Sequence, residues 1–208
     1  MSHRTMLTAA ALAVALTGCA GAQERTPAVE LETFTSAEGG FSVSVPVGWD
    51  RDGQFPYAID DAVHGVMLEG PKGEGGAAVK IAVLRYAGTG TIDGADDYIG
   101  MVLFNPTRLD ADTDPELEPI EVAGIEGRTF GFTKFELVIL PHKPPDLPPG
   151  VIAEFRPPTR QVTMKVRYVV LPAGRGFWSL RYEAPEDLVA EYAPLFEAVV
   201  ASFKTLSK

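Results

Sequence analysis

From Val162 to Val170 the chain alternates without a break: Val162, Met164, Val166, Tyr168 and Val170 fall on one side, and Thr163, Lys165, Arg167 and Val169 on the other. A period of two held this long requires an extended strand whose side chains point alternately to the two faces of a sheet. One of those faces is wholly apolar and has to be covered by another layer. Further strands read at residues 41–45, 63–68, 77–86, 118–123, 127–140 and 176–183, rich in β-branched and aromatic residues and separated by turn residues. Gly70-Pro-Lys-Gly-Glu-Gly-Gly76 joins two of them as a hairpin connection. It lacks the Gly-Lys-Ser/Thr ending that would place a lysine on phosphate and a hydroxyl on magnesium.

Two segments change to helical spacing. Asp93 reads as an N-cap with Asp96 and Asp97 in the first turn, Tyr98, Met101 and Val102 share one face, and Asn105-Pro106 stops the element. At residues 185–203, Leu188, Tyr192, Leu195, Val199 and Phe203 recur at intervals of four and three, as on an amphipathic helix. Pro194 is expected to kink that helix or to start a second one. Strands in hairpin succession, with one helix between two sets and another at the end, describe an α+β domain on an antiparallel sheet; the strand-helix alternation of a doubly wound fold is absent.

The N-terminus carries an address. Met1 to Arg4 is short and cationic, and Met6 to Leu16 is apolar except for Thr8, too short to span a bilayer but fit for a signal-peptide core. Leu16-Thr17-Gly18-Cys19 follows directly and resembles the lipobox of bacterial lipoprotein precursors. That resemblance implies cleavage before Cys19, lipidation of its sulfur and acylation of the new N-terminus. Three acyl chains make attachment effectively permanent, where one alone is marginal. Cleavage of residues 1–18, Arg4 among them, leaves 190 residues at a formal charge of −11. Residues 19–30 then form a lipidated tether: Ala20-Gly-Ala-Gln-Glu-Arg-Thr-Pro27 has no apolar periodicity, and as a flexible coil it reaches about 20 Å. Ala20 is not the aspartate that favours inner-membrane retention in enteric bacteria, so the resemblance points to the periplasmic face of the outer membrane.

Within the folded part, residues 31–208, three segments share a second resemblance: Phe41-Ser-Val-Ser-Val-Pro-Val-Gly-Trp49, Val122-Ala-Gly-Ile-Glu-Gly-Arg128, and Tyr182-Glu-Ala-Pro185 leading through Tyr192, Pro194 and Phe196 to Ala201-Ser-Phe-Lys204. They resemble the PsbP-type fold, a family of photosystem II extrinsic subunits, Ran-binding Mog proteins and bacterial lipoproteins. The resemblance implies an αβα sandwich around a central antiparallel sheet and is nearly silent on activity. Trp49, Phe196 and Phe203 read as core residues rather than ligand contacts.

Charge narrows the chemistry. A net charge of −10 argues against a nucleic-acid reader, one cysteine excludes a disulfide framework and any multi-cysteine zinc site, and three histidines leave little for an imidazole-based centre. Asp110, Asp112 and Asp114, with Glu121 twelfth when Asp110 is counted first, have the oxygen spacing of a calcium loop, but Pro115 stands where that loop needs glycine. A solvated acidic loop is the default reading there. His64 follows Asp60 and Asp61 closely enough to suggest an imidazole-carboxylate pair, but without a third ligand or a nucleophile the default reading is an accessory histidine beside a strand. His142 stands in Pro141-His-Lys-Pro-Pro-Asp-Leu-Pro-Pro149, which favours extended polyproline conformation and reads as a stiff surface loop. No catalytic or cofactor motif is present.

Residues 19–140 hold 8 Lys+Arg against 21 Asp+Glu, and residues 141–183 hold 7 against 3. Lys165, Arg167 and Arg181 would form a cationic strip if their strands pair, facing anionic lipid or an acidic partner; the default is that they neutralise carboxylates of the same domain. The sequence thus leads to a lipid-anchored, non-catalytic binding or scaffolding module with a protein partner in the envelope and no cofactor. Two alternatives stand beside it: a carrier or sensor of a small apolar or lipid ligand held between sheet and helix, and an envelope hydrolase or metal-dependent enzyme.

Overall fold

The computed structural model describes residues 29–52, 63–88, 92–110, 112–142 and 156–206. The signal segment, the lipobox with Cys19, Asp60, Asp61 and most of the proline-rich insertion lie outside these residues.

Among the described residues all strand pairs are antiparallel, and they form two sheets. The smaller sheet is ordered β1 (Leu31–Ser36), β2 (Phe41–Pro46), β10 (Lys204–Thr205). The larger is ordered β3 (Asp50–Asp52), β4 (Val63–Lys72), β5 (Ala78–Tyr86), β9 (Phe177–Pro185), β8 (Thr159–Pro172), β7 (Ile125–Ile139), β6 (Glu118–Val122). Among the described residues two helices complete the domain, α1 (Ala95–Leu103) and α2 (Val189–Ser202). The α+β class and the hairpin succession are as the alternation requires.

Strand register decides which residues reach which layer. Val79, Ile81 and Val83 of β5, Leu180, Tyr182 and Ala184 of β9, and Val169 and Leu171 of β8 lie on one face of the large sheet. They pack against Phe41, Val43 and Val45 of β2 and against Tyr192, Phe196, Val199 and Phe203 on or beside α2. The other face offers Ala82, Leu84, Tyr86, Phe177, Val166, Tyr168, Val170, Phe130 and Phe132, which α1 covers with Tyr98, Ile99 and Val102. Trp49, Phe196 and Phe203 are core residues, as expected: Phe196 and Phe203 are buried, and Trp49 packs on the core beside Tyr192, their rings 6.0 Å apart.

Three details differ from the sequence reading. The layer behind the large sheet is shared between α2 and the three-stranded sheet, so the αβα description holds only in part; β1 escaped notice because Leu31-Glu-Thr-Phe-Thr-Ser36 is mostly exposed. The N-cap of α1 is Gly94, with extended backbone and no side-chain cap bond, rather than Asp93; Ile99 rather than Met101 is buried on its inner face. Finally, α2 runs through Pro194 as one helix.

The β6–β7 hairpin turns through two residues, Ala123 (φ 53°) and Gly124 (φ 75°), with Val122 and Ile125 paired directly across it. Two positive φ values are what a two-residue hairpin of right-handed twist demands, and a Cβ is unfavourable there. Ala123→Asn is expected to raise the unfolding free energy by about 0.5–1 kcal/mol, read as a higher urea midpoint at unchanged slope.

The molecule has two distinguishable ends. The β1–β2, β6–β7 and β8–β9 turns mark a distal end. The β4–β5 turn, the start of α2 and the entry of the chain at residues 29–31 mark a proximal end, where Leu31 pairs with Pro46 and Val47 N donates to Glu30 O.

Candidate functional site

At the distal end, three elements leave a cleft of about 890 Å3 between them: the N-terminus of α1, the β6–β7 hairpin and the β8–β9 turn. Ile99, Val170 and Pro172 provide apolar lining, and the ionisable groups are Asp93, Asp96, Asp97, Glu121, Glu126 and Arg128. Asp96 and Asp97 sit in the first helical turn, where the unpaired N–H groups favour carboxylates.

Pairing of β6 with β7 puts Glu121 directly opposite Glu126 and Pro119 opposite Arg128. Like charges facing across a ladder destabilise a hairpin by themselves. Both glutamates are exposed, so a cation entering the cleft relieves that repulsion. The remaining wall is held rigidly. Arg85 donates to the carbonyls of Tyr86, Phe177, Ala173 and Arg175 and lies 5.1 Å over the Trp178 ring, while Arg175 Nε donates to Gly88 O at 3.1 Å. Gly176 closes the turn at φ 76°; a Cβ there would lie 2.0 Å from Tyr86 O, so no other residue fits.

Beneath α1 the space is filled by rings. Tyr98 lies 4.7 Å from Phe177 and 5.2 Å from Tyr86, Phe130 stacks on Tyr168 at 5.2 Å, and Ser179 Oγ donates to Tyr98 Oη at 3.1 Å. Burial pushes the Tyr86 and Tyr168 hydroxyls above their ordinary range.

Past that aromatic layer, on the same sheet face, lies a buried charge network. Glu183 Oε2 accepts from Lys134 Nζ at 2.8 Å and Oε1 lies 3.5 Å from Arg181 Nε, while Lys80 Nζ bridges to Glu136 at 3.0 Å. Arg181 also lies beside Tyr168, directly across the ladder on the same face. Burial opposes the charge on Glu183, but Arg181, Lys134 and Lys80 outweigh it and hold the carboxyl at about 2.

The register also breaks up the cationic strip. Lys165 and Arg167 pair with Ala184 and Tyr182, whereas Arg181 pairs with Tyr168, so Arg181 lies on the opposite face from the other two. Each finds a partner within the domain: Lys165 the Thr133 hydroxyl, Arg167 Glu197, and Arg181 Glu183.

The acidic run does not stand free as a solvated loop. Asp110 Oδ2 accepts from Thr133 N at 2.9 Å, and Arg108, 8% exposed, donates to Leu103 O, Asp110 O and Thr113 O while lying 5.5 Å over Phe132. Arg108 therefore pins this segment against β7, a role that its position in the sequence did not suggest. Asp112 and Asp114 are exposed, and Glu121 belongs to the cleft instead. Among the described residues no group of three or more His, Cys, Asp or Glu could hold a metal ion. His64 Nδ1 lies 3.0 Å from exposed Glu38 on the β1–β2 turn; its expected partners, Asp60 and Asp61, lie outside the described residues.

The cleft itself was not foreseen. Asp93, Asp96 and Asp97 read as helix-start residues and Glu121 as the end of a loop, and only the sheet order, which places β6 at the edge beside β7, gathers them around Arg128. The excess of carboxylates before residue 141 was the one available signal.

Fold and cleft define an antiparallel α+β domain, covered on both faces, with an acidic concavity at one end. No family model and no curated protein matches the chain. Solved structures are similar to it, these two among them. One, from Bacteroides thetaiotaomicron VPI-5482, has 12% identity and a TM-score of 0.41, covering 85% of this chain; this chain spans 49% of that one. The other is cyanobacterial PsbP (CyanoP) from Synechocystis sp. PCC 6803, with 13% identity, a TM-score of 0.42, and coverage of 90% of this chain and 99% of the other.

Proposed function

We propose that this protein is an extracytoplasmic lipoprotein, held by lipid on Cys19 at the periplasmic face of the outer membrane, whose PsbP-type domain binds a protein partner without catalysis. The cleft is the observation that carries the binding reading: five carboxylates and a single guanidinium surround about 890 Å3, and two of the carboxylates oppose one another across a hairpin. Such a concavity suits a lysine- or arginine-bearing segment of the partner. The apolar lining takes up the aliphatic stems of those side chains, and the carboxylates take their charges. Leu16-Thr17-Gly18-Cys19 supports the anchor, and the three motif segments support the domain type.

A fluorescent lysine-rich peptide, titrated at low salt, tests the cleft. We expect saturable binding that weakens with added salt and falls at least about tenfold in the quadruple variant Asp96→Asn, Asp97→Asn, Glu121→Gln, Glu126→Gln. Equal affinity in both proteins contradicts the reading. The mass of the protein extracted from membranes tests the anchor: acyl mass on Cys19 is expected, and its absence overturns the localisation.

A further inference from the structure

Strands β7 and β8 outrun the sheet that contains them. β9 accompanies β8 only as far as the pair Met164 and Pro185, and beyond it β7 and β8 continue as a two-stranded arm to the pair Ile139 and Thr159. One face of this arm is covered, because Val138, Val162 and Met164 pack with Ala77 beside the β4–β5 turn. On the other face Leu137 and Ile139 are 58% and 62% exposed, and the residues paired with them are the uncharged Gln161 and Thr159. An aliphatic pair held outward on a ribbon, with no charge on its own face, is the kind of surface that soluble domains cover or use.

Two facts point to what covers it. The arm projects from the proximal end, where the chain enters at residues 29–31 and where Leu31 and Val47 are also exposed. Read from sequence as a coil, the stretch between Cys19 and Val29 spans typically about 20 Å, so a lipid on Cys19 holds this end, rather than the cleft, nearer the bilayer. The charge agrees: residues 137–142 and 156–165 carry Arg156, Arg160 and Lys165 and no acid, in a chain of net charge −10.

We propose that the arm rests on an anionic bilayer, with Leu137 and Ile139 entering the headgroup region. This rests on the lipid-anchor reading above. Two aliphatic side chains and a small positive charge are too little to recruit the protein from solution, but they suffice to orient a domain already concentrated at the surface by its tether. The consequence is directional: the arm faces lipid, and the acidic cleft at the opposite end faces away from the anionic surface.

The test uses the full, membrane-extracted protein with a single engineered thiol, Ile139→Cys or, as a control, Phe104→Cys, which is 88% exposed on another part of the surface. Each is labelled with an environment-sensitive fluorophore and reconstituted into phosphatidylcholine vesicles containing phosphatidylglycerol and spin-labelled lipid. The label at 139 is expected to shift to the blue and to be quenched by the lipid at least about threefold more than the label at 104, with the excess reduced when phosphatidylglycerol is omitted. Protein that floats with the vesicles while its label at 139 stays aqueous and unquenched overturns the proposal alone. A blue-shifted label without lipid quenching also overturns it, because a second copy or another segment of this chain then covers the arm. Protein without acyl mass on Cys19 that fails to float overturns the anchor, and the proposal with it.

Discussion

Glu183→Ala is expected to lower the unfolding free energy by about 3–5 kcal/mol at neutral pH. The carboxyl is almost fully enclosed, with 4% of its side chain exposed, and it is the common partner of Arg181 and Lys134, themselves 12% and 16% exposed. Truncation leaves two cations in a low-dielectric layer with no counter-charge, and neither can reach water without disturbing the sheet face on which it lies. Acid has the same effect more gradually. The folded carboxyl titrates at about 2 against 4.5 when unfolded, so its contribution is complete above about pH 4.5 and is lost as the pH falls toward 2. The stability gap between wild type and Glu183→Gln, measured by urea unfolding, should therefore shrink from pH 7 to pH 3. A gap that stays constant, or a substitution costing less than about 1 kcal/mol, would show that the network contributes nothing net.

The second large effect belongs to Phe177, which is fully buried and stacked 4.8 Å from Tyr86 under the Tyr98 ring of α1. Phe177→Ala removes a ring that two others, Tyr86 and Tyr98, pack against, and the sheet beneath cannot collapse to fill the space. A loss of about 3–5 kcal/mol is expected, and at this chain length that lowers the melting temperature by roughly 10 °C. The residue also supports the cleft, since it seats the helix whose first turn carries Asp96 and Asp97. Phe177→Leu, which keeps most of the volume, should recover about half of the stability.

Local pattern made much of this fold legible. The alternation of β8 fixed an extended strand, the four-and-three spacing of Leu188 to Phe203 fixed α2, and hairpin succession fixed the antiparallel class. Short or exposed elements were not legible: β3 has three residues and β10 two, and β1 exposes most of its side chains, so none leaves a pattern of burial. The site was less legible still. Lys165, Arg167 and Arg181 looked alike in sequence, and a single step of register, Tyr168 rather than Arg167 opposite Arg181, sends one of them into the buried network. Glu121 and Glu126 lie five positions apart, with nothing unusual about them until a two-residue turn folds them face to face. Charge composition reported an acidic half of the chain, whereas the topology decides that its carboxylates meet in one concavity.

We propose above that the distal cleft receives a cationic partner while the domain is tethered in the envelope. The most direct test of this proposal is site-specific photocrosslinking in intact cells from Pro119, an exposed cleft residue on the same hairpin face as Arg128. One discrete adduct is expected from this position, lost when Asp96, Asp97, Glu121 and Glu126 are neutralised, and none is expected from Phe104. Adducts that are equally abundant from both positions, or that survive neutralisation of the four carboxylates, would contradict it.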